Sequence, residues 1–404
     1  QIIGRAFNKL PGKEQYKMNT IYFDHISATP LHPLVKETMI DFIQNNNFGN
    51  PLSQHHIGDA AVEALEAARS QVAQLINAKP DEIVFTSNGT ESINHAIKGV
   101  AFAKFKKGKH IITTNIEHQS VARTLRVLMR FGYQVTAIPV DRYGLVDPKD
   151  VEKAITDNTI LVSIMHANNE IGTIEPIAEI GKITREKNIL FHTDAVASGG
   201  NIPIDVDELG VDLLSIAANQ FYGPSGAGAL YIRPKTEIFP LIDGGTQEGN
   251  RRAGTQNIIG IVGMGKAAEL ARIEMPHRTE HLLKLRKAFI ERLNTLDDIH
   301  INGHPVLTLP GLVSVSVEYV EGESMMIMLE GDGICVSTRS ACASGSLRAS
   351  HVLTATGCDY VTAQGTLIFS FGTGNTIEDI DKGFISLQKS IAFLRSMSPL
   401  YKKK

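Results

Sequence analysis

The chain has 404 residues, a formal net charge of -3 and 43% hydrophobic residues, the balance of a globular protein longer than one ordinary core serves, so two domains are expected. No basic stripe, acidic tail or bilayer-length apolar run is present, which excludes nucleic-acid binding and membrane insertion; Lys402, Lys403 and Lys404 read as a solvated end. Three cysteines, Cys335, Cys342 and Cys358, make no disulfide framework and point to a reducing cytoplasm, and residues 1–17 lack the apolar core of a secretion signal and read as an extension of unassigned role.

The segment TIYFDHISATPLHP, from Thr20, reads as a strand followed by proline-shaped turns. Over residues 60–78, Val62, Leu65, Ala68, Val72, Leu75 and Ile76 recur at helical spacing, which predicts a core-facing helix. Next, a β-branched run ending at Thr86 passes through Ser87, Asn88, Gly89 and Thr90 into a helical pattern. Such a turn points free backbone N–H groups and a helix N-terminus outward, which suits a phosphate.

Strand-like runs then alternate with amphipathic stretches: HIITTN, YQVTAIPV, ILVSIMHANN, ILFHTDAV, VDLLSIAAN and GALYIRP, with Pro176 to Lys187 as one of the intervening helices. Alternation of this kind predicts a largely parallel sheet with its ligand beyond the carboxyl ends of the strands. Polar residues gather at those ends: Glu117 and His118, then Asn168, Asn169 and Glu170, then Asp194. Taken singly, each is an ordinary cap or turn former. After about residue 275 the pattern becomes a long helix (His277 to Leu296), the strands LVSVSVEY, ICVSTRS and GTLIFSFG, and a closing helix with Ile380, Phe384, Leu387, Ile391 and Leu394 on one face. The expected boundaries give a large domain over 31–275 and a small α+β domain formed by 18–30 with 276–404.

From about Thr20 to Leu400 the chain resembles the cysteine desulfurases, pyridoxal-phosphate (PLP) enzymes of the class V aminotransferase type. The resemblance implies PLP fold type I with a mostly parallel seven-stranded sheet. It also implies a cofactor site in which Gly89 and Thr90 bind the phosphate, His118 stacks on the ring, Asn168 faces the ring hydroxyl and Asp194 pairs with the ring nitrogen. The loop from Asp243 to Asn257 resembles one that crosses a dimer interface to place its threonine, here Thr255, on the partner's phosphate, which implies a homodimer. Cys342, in the Ser- and Ala-rich segment VSTRSACASGSLRASHVL, matches the family cysteine that takes sulfur from substrate; a thiolate is the required nucleophile. Cys335 and Cys358 fit small buried apolar positions instead. The C-terminal FLRSMSPLY resembles a segment near which scaffold proteins dock.

The departures from the family fall on one site. Gln220 stands where the family has its Schiff-base lysine, and an amide is no amine nucleophile. Ala217 and Asn219 replace a serine and a histidine, Ala197 replaces a glutamine, and Ile368 and Thr373 replace arginines, the former the clamp for the substrate carboxylate. Two readings follow. In the first, desulfurase chemistry is degenerate and Cys342 serves iron–sulfur cluster assembly or sulfur transfer as a persulfide carrier or cluster ligand, with a scaffold or sulfur-acceptor protein as partner. In the alternative, the protein is an active desulfurase or related lyase that holds PLP noncovalently, with Cys342 and His118 as its reactive groups. A lyase for a substrate without a carboxylate would explain Ile368 but not Gln220.

Overall fold

The computed structural model describes residues 20–45, 47–338, 349–399 and 401. Cys342, Arg339 and Arg348 lie outside these residues, as do residues 1–17.

Strands β1 (Ile21–Tyr22), β2 (Ile83–Thr86), β3 (His110–Thr114), β4 (Gln134–Ile138), β5 (Thr159–Ser163), β6 (Leu190–Asp194), β7 (Leu213–Ala217) and β8 (Gly228–Ile232) are followed by β9 (Ile299–Asn302), β10 (Leu312–Val317), β11 (Ile334–Cys335) and β12 (Thr366–Ser370). Seven of them form one sheet in the order β2-β8-β7-β6-β5-β3-β4. β8 runs antiparallel to both neighbours, and all the other pairings are parallel. The mostly parallel seven-stranded α/β sheet expected from the sequence is therefore the fold. Because β8 reverses between β2 and β7, the C-terminal ends of β2, β3, β5, β6 and β7 all open on the same edge.

Both faces of this sheet are covered, which is why its strands read as continuous apolar runs. Ile112, Val162 and Leu214 join a core with Val72, Ile76 and Met264. Their neighbours Ile111, Leu161 and Leu213 join the opposite core with Ile97 and Leu125. The period of two assigns successive residues of each strand to opposite layers.

A second core holds β10, β12 and the helix Ile377–Met397. Ile380, Leu387 and Ile391 are buried there, with Phe384 and Leu394 packed against them. This helix starts on a reciprocal cap between Thr376 and Asp379. β1 pairs with β11 and sends Ile21 and Phe23 into the same core, so the first described strand is built into the distal part of the chain.

The long helix is the main difference from the sequence pattern. It spans Ile258–Leu293 and runs through the boundary expected near 275. Gly260, Gly263, Gly265 and Pro276 disguise it, since glycine and proline weaken helices. The structure gives two of the glycines a packing reason. A Cβ on Gly263 would lie 2.7 Å from Met39 Sδ, and one on Gly265 would lie 2.6 Å from Ala68 Cα. The helices Pro33–Gln44 and His56–Leu75 approach that closely only because no side chain intervenes.

Candidate active site

At the shared edge of the sheet, a cavity of about 320 Å³ has Asn88, Gly89, Thr90, His118, Asp194 and Gln220 in its lining, with Ile26, Ala197 and Ala217 among its apolar wall residues. Four of the five expected phosphate and ring residues reach it together: Gly89, Thr90, His118 and Asp194. The fifth is displaced by one position. Asn168 is buried, with Oδ1 accepting the Glu170 and Ile171 N–H groups and Nδ2 donating to the Ile116 carbonyl. It closes the loop after β5, and Asn169 is the asparagine that lines the cavity.

The phosphate end is built by the helix Gly89–Ala103. Asn88 caps it, accepting the Glu91 N–H at 2.9 Å, and its carbonyl takes the Ser92 N–H. The first-turn N–H groups of Gly89 and Thr90 are thereby left to the cavity they line, with the helix dipole behind them. Gly89 must be glycine, because its Cβ would sit 2.5 Å from Val196 Cγ2. Ser120 joins Thr90 and His118: its Oγ is 2.9 Å from Thr90 Oγ1 and 2.9 Å from His118 Nδ1. His118 caps the helix Gln119–Arg130 by accepting the Ser120 N–H on Nδ1, which assigns the ring proton to Nε2. Ser120 carried no signal in the sequence beyond its place two residues after a strand-end histidine.

Asp194 ends β6 and is 5% exposed. Its Oδ1 accepts the Val196 N–H at 3.0 Å, and burial pushes the carboxyl up to about 6. Close by, Glu117 is buried and pushed up to about 8 for the same reason. Its Oε1 accepts from Thr114 Oγ1 and the Met165 N–H, while Oε2 has no partner. His166 and His192 are buried against serines and pushed down to about 4 and about 3, so they are neutral structural histidines.

Gln220 ends the short helical turn Ala218–Gln220 after β7 and is 7% exposed. Thr29 ties down that turn: its N–H and Oγ1 donate to the Asn219 carbonyl, and the Tyr222 N–H donates to its Oγ1. Gln220 Nε2 donates to the Ile26 carbonyl at 3.1 Å, and Oε1 has no partner.

The six departures do not all meet. Ala197, Ala217, Asn219 and Gln220 line the cavity. Ile368 lies fully buried behind it, packed with Ile26, Ala167, Ala197, Leu309 and Leu312. Thr373 lies apart, beside Tyr22, Pro30 and His32, its N–H on the Tyr222 hydroxyl. Thr255 is exposed and does not line this cavity. Its loop is anchored beside the phosphate helix, where Arg252 pairs with Glu91 at 2.8 Å and Glu91 takes the Ser87 N–H. Burial pushes the Cys335 and Cys358 thiols up, so neither is an activated nucleophile. Among the described residues no cluster of three His, Cys, Asp or Glu could hold a metal, and no helix is long and apolar enough to cross a membrane.

The residues fit PLP: an anion-binding helix start, a buried carboxylate for the ring nitrogen, and a histidine on the rim. They do not supply the amine for a covalent link. Sheet order and site position together define the PLP-dependent fold of type I. The aminotransferase class-V model matches residues 21–382, and the chain belongs to the cysteine desulfurase family within that class. It is 52% identical over 380 residues to the cysteine desulfurase IscS of Dictyoglomus turgidum, covering 94% of this chain and 96% of that one. Identity to IscS of Methanosarcina thermophila is 50% over 383 residues, covering 95% of each. Among solved structures, a NifS-like protein superposes with a TM-score of 0.87 at 40% identity, covering 93% of this chain and all of the other. The apo cysteine desulfurase of Thermococcus onnurineus NA1 superposes with a TM-score of 0.83 at 28% identity, covering 93% and 95%.

Proposed function

We propose that this protein is a PLP-dependent desulfurase or related lyase of sulfur transfer and iron–sulfur cluster assembly that holds its cofactor without a covalent bond. The observation that carries this reading is the cavity itself, in which Gly89, Thr90, His118 and Asp194 converge although Gln220 has replaced the lysine. Relatives at about half identity carry the desulfurase name, which supports active chemistry over a site emptied of function.

When bound, PLP supplies an electron sink for bond cleavage at an amino-acid carbon. Gly89 and Thr90 hold its phosphate, and the ionised Asp194 keeps the proton on the ring nitrogen. His118, which lines the cavity and carries its ring proton on Nε2, is the group that would move a proton there. Asn169 takes the place expected for Asn168 beside the ring hydroxyl, and Thr255 reaches the partner's site in a homodimer. Cys342 accepts the sulfur as a persulfide for a scaffold or acceptor protein in the cytoplasm. Ser350 bonds to Glu170 and His351 Nε2 lies 2.9 Å from the Glu117 carbonyl, so the chain resumes after the cysteine segment against the chain neighbours of the cavity residues Asn169 and His118.

A second reading, in which lyase chemistry is lost and Cys342 only carries persulfide or ligates cluster iron, is favoured by Gln220 and by Ile368 buried in place of the carboxylate clamp. One experiment separates them. The purified chain is given PLP and cysteine, sulfide and alanine are followed, and persulfide on Cys342 is read by mass spectrometry. The proposed function expects slow turnover that Asp194→Ala and Cys342→Ala abolish. Absence of turnover, with Cys342→Ala still blocking cluster assembly in cells, would establish the second reading instead.

A further inference from the structure

The turn that faces the phosphate carries a carboxylate of its own. Glu91 stands in the first turn of the helix Gly89–Ala103, next to the cavity residues Gly89 and Thr90. Its N–H donates to Asn88 Oδ1 at 2.9 Å and its Oε2 accepts the Ser87 N–H at 2.7 Å, so this one residue ties the turn together from both sides. Burial opposes its charge, but the bonds from Arg252 and Ser87 hold the Glu91 carboxyl below its ordinary value, and it is ionised at neutral pH. A carboxylate at a helix start already occupies the positive end of the dipole and repels a second anion there. The contact that shapes the turn therefore works against a bound phosphate.

Arg252 offsets that charge. Its Nε donates to Glu91 Oε1 at 2.8 Å and its Nη2 to Oε2 at 3.3 Å, with only 16% and 10% of the two side chains exposed. The neighbouring Arg251 turns elsewhere, to the Asp81 and Glu248 carbonyls. His95, one turn further along the helix, is pushed down to about 4 by burial and is uncharged. Among the described residues no lysine or arginine lines the cavity. We propose that Arg252 is a positioning residue for the cofactor phosphate that acts through Glu91, cancelling the carboxylate that shapes the turn and so keeping the helix start attractive to an anion. The inference rests on the PLP-type reading of the cavity and adds to it a residue outside the lining. Arg252 belongs to a loop anchored by Glu248 on Arg69 and on the Phe85 N–H, so cofactor affinity depends on how that loop is seated.

The test is calorimetric binding of PLP to the purified full chain, as wild type, Arg252→Gln, Arg252→Lys, Glu91→Gln and the double variant Glu91→Gln/Arg252→Gln. Arg252→Gln is expected to weaken PLP binding roughly three- to ten-fold, the scale of one partly screened charge. Glu91→Gln, whose amide oxygen can still accept the Ser87 N–H, is expected to tighten binding by a similar factor. Arg252→Lys and the double variant are expected to bind nearly as the wild type does. A pair that merely braced the turn would lose affinity in both single variants. That result, a double variant as weak as Arg252→Gln, or an Arg252→Lys as weak as Arg252→Gln would overturn the inference while leaving the cofactor-site reading intact. Absence of PLP binding by the wild type would overturn that underlying reading and the inference with it.

Discussion

Asp194→Asn should make the cofactor-free protein more stable and the cofactor site weaker. The substitution preserves the shape of the side chain and an oxygen to accept the Val196 N–H, and removes only the buried charge. The carboxyl is raised from 3.8 to about 6 by burial, so the native state holds its proton more tightly than the unfolded chain does. The stability it contributes is complete below about 4 and is lost as the pH rises through about 6. At pH 7.5 the ionised carboxylate costs about 3 kcal/mol, and at pH 5 about half of that, from the same shift at 1.36 kcal/mol per pKa unit. Urea unfolding at fixed protomer concentration should therefore place Asp194→Asn above the wild type at pH 7.5 without cofactor, with a gap that narrows toward pH 5. With PLP present the order should reverse, because the variant loses a charge-assisted bond to the protonated ring nitrogen. A variant less stable than the wild type at pH 7.5 without cofactor, or a gap unchanged between the two pH values, would refute this account of Asp194.

Ile368→Arg, which restores the family residue, should destabilise the fold by about 3–5 kcal/mol, because Ile26, Ala167 and Ala197 give a buried guanidinium no partner; an unchanged urea midpoint would show that the wall opens to admit it. Gly89→Ala drives a Cβ to 2.5 Å from Val196 Cγ2 and should cost about 1–3 kcal/mol in thermal or urea unfolding together with weaker PLP binding; unchanged binding would remove Gly89 from the phosphate site. Glu117→Gln keeps an acceptor for Thr114 and Met165. Since Glu117 titrates at about 8 against 4.5 unfolded, wild-type stability relative to this variant should fall as the pH rises from 5 to 8, and a flat difference would contradict the burial argument.

Sheet strands were legible because burial on both faces makes them β-branched apolar runs, as in ILVSIMH, and the strand-end polar residues followed from that register. The helix through Pro276 was not legible, because the reason for Gly263 and Gly265 is a contact with Met39 and Ala68, far away in sequence. Asn168 and Asn169 were interchanged because the turn after β5 decides which side chain folds back on the backbone, and adjacent asparagines give no sign of that. Gln220 was visible as a missing lysine. Its orientation was not, since the carbonyl that fixes it belongs to Ile26, 194 residues earlier.

The central claim is that this cavity binds PLP without a bond to the chain. The most direct measurement is equilibrium dialysis of the full chain against PLP, followed by borohydride reduction, denaturation and mass determination. Saturable binding of one cofactor per protomer with no stoichiometric gain in chain mass is the predicted result. A stoichiometric adduct on any lysine, or no saturable binding, would contradict it.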